Sequence, residues 1–357
     1  MAKRKLLILS RYGEKGASSR LRSFQFIPAL QASGFEVTVS PFFDDDYLET
    51  LYTTGHRPQA DIVRAYFKRM MTLLKVRDYS AVWVEKETLP FLPGVFESWL
   101  SFMKVPYFID YDDAIFHNYD RHRSLWVRTL LGTKLDVLLR AAKCVTVGNS
   151  YLEGYAIQHG ASSVERFPTV VDISRYPVMP PVAGSELRVG WIGTPSTSKY
   201  LEIVRPVLES LSKKINIKLV TIGAPDLGHY QLPLEQHPWS ADTEGLLLSG
   251  VHVGIMPLVD DMWERGKCGY KLIQYMACGR PVIASPIGMN VDIVNRDVGF
   301  LAKTEQDWLL AFETLAADVA LRDQMGMNAR KLVETQYSLQ VIASRMVMLL
   351  ESKICAA

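Results

Sequence analysis

The chain has 357 residues, enough for about two domains and too many for one small core. Apolar residues make up 48% and charged residues 22%, which excludes a disordered, collagenous or coiled-coil chain. The balance of 40 basic against 38 acidic residues leaves +2, so no nucleic-acid partner is expected. Cys144, Cys268, Cys278 and Cys355 form no CxxC pair, which reads as a reduced, cytoplasmic protein. The start, MAKRKLLILSR, is basic, but its apolar run is shorter than the roughly 7–15 residues of a signal peptide. No window approaches the roughly 18 apolar residues of a membrane span. The expectation is a cytoplasmic chain, at most peripheral on the inner face of the cell membrane.

Taken in order, KLLILS (5–10) reads as a buried strand and 18–34 as a helix closed by Gly34. EVTVS (36–40), AVWVE (81–85), VPYFID (105–110), CVTVG (144–148) and VERFP (164–168) continue as strands. Continuous apolar strands alternating with helices predict a parallel sheet covered on both faces. PVMPPVAGSE (177–186) interrupts the alternation. A second series follows: strands at 187–193, 217–223, 251–258, 280–285 and 298–302, and a helix at 200–214. From Asp307 to Lys353 the pattern is helical. The domains expected are 1–178, a linker at 179–186, 187–337, and a C-terminal helix at 338–357.

Open parallel sheets bind ligands at the carboxyl ends of their strands. Neither GxGxxG nor a Walker A loop occurs. The loop RYGEKGASSRLR (11–22) still suits phosphate: Gly13 and Gly16 allow close approach, and Ser18 or Ser19 is a candidate N-cap. Arg20 and Arg22 fall in the first turn of the next helix. In ERGKCGYKLIQYMACGRPVIAS (264–285), Lys267 and Lys271 are expected on one face of a helix beginning near Gly266, with Gln274 one turn on. Basic residues at a helix start work against its dipole, which points to an anion there. Leu272, Ile273, Met276 and Ala277 form the buried stripe. The Asp44–Asp46 run reads as a solvated turn.

These segments resemble the retaining glycosyltransferases of family four, also called glycosyltransferase group 1, and in particular bacterial surface-polysaccharide transferases. QYMACGRPVIAS stands where that family has its E-[AY]-M-A-x-G-x-P-V-[VI]-A-[ST] run. RVGWIGTPSTSKYLEIV (188–204), VHVGIMPLVDD (251–261), FIDYDDAIFH (108–117), NSYLEGYA (149–156) and FPTVVDISRY (167–176) resemble further family segments. The resemblance implies a GT-B fold: two Rossmann-like α/β lobes with parallel sheets facing a deep cleft, and a C-terminal helix crossing back to the first lobe. It implies transfer of a sugar from a UDP- or GDP-linked donor to a saccharide or lipid-linked acceptor, with retention, in the service of polysaccharide biosynthesis. There the departing phosphate assists the incoming hydroxyl, and neither a metal nor another cofactor is expected.

By the same resemblance the family's ribose-binding Glu is Gln274 here, and its partner Glu falls on Gly266. Glu264 either takes that role or the loop is built differently. The family's loop Arg falls on Thr194, beside Gly193, and Lys199 is the candidate for the Lys that follows. Lys199, Lys267 and Lys271, with the turn at Gly269, form the cationic set for a diphosphate, and Lys199 and Lys267 are the catalytic cations. The pair Asp110-Tyr-Asp112 also admits a metal reading. We place Asp112, Asp113 and His117 instead on the acceptor hydroxyl. Basic amphipathic patterns at 61–77 and 121–143 suggest an anionic membrane partner. Rival readings are a nucleotide-sugar epimerase of the same architecture and a catalytically inactive member.

Overall fold

The computed structural model describes residues 4–56, 58–180 and 184–355. It divides into two compact units, Met1–Thr169 with Ile342–Ala357, and Val170–Val341.

In the first unit β1 (Arg4–Leu9), β2 (Phe35–Val39), β3 (Ala81–Glu85), β4 (Tyr107–Tyr111), β5 (Cys144–Val147) and β6 (Val164–Arg166) form one parallel sheet in the order β2-β1-β3-β4-β5-β6. Every residue of β3, β4 and β5 is buried. That requires cover on both faces, and it is why these strands read as unbroken apolar runs. In the second unit β7 (Leu187–Ile192), β8 (Ile217–Ile222), β9 (Leu234–His237), β10 (Val253–Met256), β11 (Val282–Ala284) and β12 (Gly299–Leu301) form a parallel sheet in the order β12-β11-β10-β7-β8-β9. The strand order reverses between β1 and β3 in one unit and between β7 and β10 in the other. Loops leave such neighbours in opposite directions, which opens a crevice at their carboxyl ends.

Several elements differ from the sequence reading. β9 is the polar edge strand LEQH, which carries no apolar period. The stretch 18–34 is the helix Ala17–Arg22, a 3-10 turn Phe24–Phe26 and the helix Ile27–Ala32, which restarts with Pro28 in its first turn. Asp44 caps the helix Asp45–Thr54 by accepting from Tyr47 N at 3.1 Å, so the acidic run is a helix start. Residues 170–178 lie in the second unit, where Tyr176 is buried and Arg330 donates to its carbonyl at 2.9 Å. Of the expected linker, residues 181–183 lie outside the described residues. Ile342, Met346 and Leu350 of the last helix, Leu339–Cys355, are buried, and Glu351 pairs with Arg4 at 2.7 Å. Among the described residues no helix is long and apolar enough to cross a membrane.

One side chain fixes the helix Tyr270–Ala277 to its sheet. The hydroxyl of Tyr275, wholly buried, accepts from Ile192 N on β7 at 2.8 Å and donates to Ile255 O on β10 at 3.4 Å. Gly254 leaves the space: a Cβ there would stand 2.0 Å from the Tyr275 ring. Gly254→Ala should therefore cost about 1–3 kcal/mol of stability. Chemical denaturation measures this, and an unchanged midpoint would contradict the assignment.

Candidate functional site

In the second unit the crevice between β7 and β10 is dominated by Lys271. The structure corrects its setting. The helix begins at Tyr270, not near Gly266, because Gly269 turns through the left-handed region at φ +66° as its N-cap. A shorter helix, Met262–Arg265, precedes it. Lys267 thus lies in the intervening turn and shares no helix face with Lys271. It still acts on it through charge. Lys271 Nζ lies 4.4 Å from the centre of the Trp191 ring and donates to Thr197 Oγ1 at 3.4 Å. A Cβ at Gly193 would stand 2.6 Å from that ammonium and from the Trp191 ring, so glycine lets both approach the backbone here. Among the described residues no carboxylate pairs with Lys271. Desolvation, then the charge of Lys267, push its ammonium down to about 7.

The other expected donor residues sit around this notch unequally. Thr194 is exposed and accepts or donates within the turn, 2.9 Å from Ser196 Oγ. Lys199 is exposed, with its ammonium 5.0 Å from the Tyr200 ring centre. Glu264 is buried and accepts from the Tyr200 hydroxyl, which burial and this carboxylate together hold protonated. Gln274 is buried as well. Its Nε2 donates to Tyr176 Oη at 3.1 Å, and that hydroxyl donates to Glu244 Oε1 at 2.8 Å. Trp239 Nε1 donates to the second oxygen of Glu244 at 2.7 Å. This explains the departure at 274. Tyr176 has one proton, already given to Glu244, so the neighbour must donate, as an amide does and a carboxylate cannot.

The first unit holds a different cluster, where β1, β3 and β4 end. Lys86 stands at φ +69°, a strained conformation for a residue with a side chain. Its Nζ lies 3.0 Å from Asp112 Oδ1 and donates to Ser18 Oγ at 2.8 Å. Ser18 Oγ is 2.6 Å from Asp112 Oδ2 and 3.0 Å from Glu85 Oε1. Glu85 also accepts from Ser19 Oγ at 2.6 Å and Arg11 N at 3.0 Å. Burial raises the Glu85 carboxyl above its ordinary value. Burial alone would raise Asp112 too, but the charges of Lys86 and Arg22 and the Ser18 hydroxyl outweigh it and hold Asp112 below its ordinary value. Asp113, half-buried, adds charge that keeps Lys86 protonated. Sequence reasoning missed Glu85 and Lys86. The only signal was a charged pair directly after a buried strand.

Three expectations about this unit change. Gly13 and Gly16 are not a phosphate cradle: a Cβ at Gly13 would stand 2.4 Å from the Asp45 carboxylate and one at Gly16 2.3 Å from Tyr12. The N-cap is Gly16, while Ser18 and Ser19 hydrogen-bond to carboxylates instead of capping the helix. Arg22 is internal, bidentate on Asp110 at 2.8 and 2.6 Å, which separates the Asp110 and Asp112 carboxylates onto different cations. His117 has both ring nitrogens engaged, Nδ1 at 2.8 Å from Asp120 and Nε2 at 2.7 Å from Tyr151 Oη.

The basic segments change also. Arg69 is buried, donating to the carbonyls of Ser10 and Ser40 at 2.8 and 2.9 Å. Lys134 is buried between Glu87 at 2.7 Å and Glu97 at 3.2 Å. The stretch 121–143 is two short helices, Leu125–Leu131 and Asp136–Ala141, not one amphipathic helix.

Residues 187–318 match the family model described as Glycosyl transferases group 1. That stretch holds Trp191, Gly193, Lys267 and Lys271. The fold of the chain is the GT-B class of α/β fold, and solved structures show the same. HepE of Anabaena, in complex with UDP and glucose, is similar at TM-score 0.73 and 16% identity, over 98% of this chain and 100% of that one. Sucrose-phosphate synthase from Thermosynechococcus elongatus is similar at 0.70 and 16%, over 99% and 100%. A putative UDP-N-acetylglucosamine 2-epimerase from Listeria monocytogenes is similar at 0.61 and 12%, over 100% and 98%. No curated protein matches the chain in sequence.

The Lys86–Asp112 pair makes stability depend on pH. A depressed Asp112 value means its contribution is complete above the ordinary carboxylate value of about 4 and drains away as pH falls through the folded-state value. Lys86→Met should cost about 3 kcal/mol near neutral pH, because it strands buried carboxylates. The gap to wild type should close below about pH 4. Chemical denaturation across pH measures it, and a gap that stays constant would contradict the pairing.

Proposed function

We propose that this chain is a glycosyltransferase that moves a hexosyl group from a UDP- or GDP-linked donor to a saccharide or lipid-linked acceptor, with retention and without a metal. The observation that carries the reading is Lys271: a half-buried, partly desolvated ammonium, with no carboxylate paired to it among the described residues, held close over Gly193 at the carboxyl end of a parallel sheet. Such a cation is costly by itself and is relieved by an anion. The segment matched to Glycosyl transferases group 1 contains it, and a protein of like fold was solved with UDP.

In this reading Lys271 and Lys267 meet the diphosphate and stabilise the charge that grows on it as the C1–O bond breaks. Lys199, exposed at the rim, joins them. Glu264 and Gln274 act through the buried hydrogen bonds that shape the notch wall, so the ribose contact implied by resemblance is not proposed for Gln274 as it stands. Asp112, held ionised, is a weak base and a good acceptor, which suits orienting an acceptor hydroxyl rather than deprotonating it. Asp113 supports it through Lys86. We further propose a role in polysaccharide biosynthesis, a cytoplasmic location, and an anionic membrane as partner of the first unit.

The test is release of UDP or GDP from a sugar nucleotide, with EDTA present and a saccharide acceptor supplied. Wild type should turn over with EDTA. Lys271→Met and Lys267→Ala should each lower turnover roughly a hundredfold. Lys271→Met should leave the melting temperature unchanged or raised, since it removes an unpaired desolvated charge. Unchanged turnover in both variants would sink the assignment. Conversion of the sugar nucleotide without nucleotide release would establish the epimerase instead, and no reaction with intact UDP binding an inactive member.

A further inference from the structure

The helix Gln59–Leu74 turns Ala65, Arg69 and Leu73 to the core. Its other side is not polar. Val63, Phe67, Met70 and Leu74 recur at helical spacing and are exposed at 69, 68, 39 and 53%. Two hydrogen bonds set further apolar residues beside this helix. Tyr66 donates to Pro90 O, next to exposed Phe91, and Trp99 donates to Leu73 O at 2.8 Å, three residues before exposed Phe102. Single exposed apolar residues need no explanation, but a continuous stripe does.

The charges around the stripe select its occupant. Arg64, Lys68, Lys75 and Arg77 are all exposed, and Asp61 and Asp78 are the acids at the two ends of the segment. A second copy packed through this face would set these cations against their own images, which disfavours a symmetric dimer. An anionic bilayer offers both complements at once: acyl chains for the stripe and lipid phosphates for the cations. We propose that the helix Gln59–Leu74 lies in the interface of an anionic bilayer, with Val63, Phe67, Met70 and Leu74 at the headgroup–acyl boundary and Arg64, Lys68, Lys75 and Arg77 on the phosphates. It refines the basic amphipathic pattern read from sequence, in which Arg69 counted among the surface charges and Leu73 among the same apolar positions as Val63 and Phe67. It deepens the proposed function by giving a lipid-linked acceptor its surface, and rests on that reading for this link alone.

The experiment is flotation of the full chain with vesicles of phosphatidylcholine alone, or of equal parts phosphatidylcholine and phosphatidylglycerol. The chain should float with the anionic vesicles only, and less as salt rises. Phe67→Ser with Met70→Ser should lower binding at least tenfold, and Arg64→Glu or Lys68→Glu about fivefold or more each. These residues are exposed, so circular dichroism and melting should match wild type. No flotation with anionic vesicles at low salt, or undiminished flotation of the Phe67/Met70 variant, would overturn the proposal. So would a concentration-dependent dimer that the same variant dissolves, which would assign the face to a second copy. UDP binding, measured in parallel, separates the two claims. Vesicle binding lost with UDP binding kept removes the docking face alone, and the converse removes the donor reading alone.

Discussion

An ammonium group drawn part-way out of water needs a negative partner or a lowered proton affinity, and half-buried Lys271 has taken the second course. Its surroundings are a Trp191 face, a threonine hydroxyl and the backbone at Gly193, which it approaches closely. The aromatic face supplies a fraction of what water gave. The charge of Lys267 takes some of that away. What would restore the balance is an anion of two charges or more, brought from outside. The rest of the second unit serves this arrangement. Tyr275 pins the helix that carries Lys271, Gly269 sets its first turn, and the Gln274–Tyr176–Glu244 chain of hydrogen bonds runs behind it.

The first unit treats buried charge in the opposite way. Lys134 lies between Glu87 and Glu97, Arg22 grips Asp110 with two nitrogens, and Lys86 meets Asp112. Each cation has its carboxylate, so each is satisfied without a ligand and binds no further anion strongly. In the proposed reading, this contrast between the units sets the donor side apart from the acceptor side. Charge count in the sequence does not reveal it, since counting lysines and arginines says nothing about which of them are buried or what they pair with.

Much of the fold was legible because buried parallel strands write themselves as apolar runs. AVWVE is β3 to the residue, and CVTV and LRVGWI are β5 and β7. β9 was not legible, because the edge strand LEQH is half-exposed and polar. Lys267 and Lys271 were found as a pair, but their geometry was not: a glycine in the left-handed region breaks the helix between them, and sequence spacing is silent about φ. Glu85 and Lys86 escaped because a strand's last residues look alike whether they face core, solvent or a crevice. Arg69 and Lys134 were misplaced for the same reason, since a buried cation, held by carbonyls or by carboxylates, has the same letter as an exposed one. The sequence points to His117 as an acid–base group but says nothing of Asp120 and Tyr151, which hold its two ring nitrogens.

The central claim is that Lys271 waits for a dianion, and proton linkage tests it most directly. Free Lys271, with its value near 7, is mostly neutral at pH 8. An arriving diphosphate restores its proton. Calorimetric titration of UDP into the full chain at pH 8, repeated in buffers of different ionisation enthalpy, counts that proton. The account predicts uptake approaching one proton per UDP bound, vanishing in Lys271→Met. Binding of UDP without proton uptake, or uptake that survives the substitution, would contradict it.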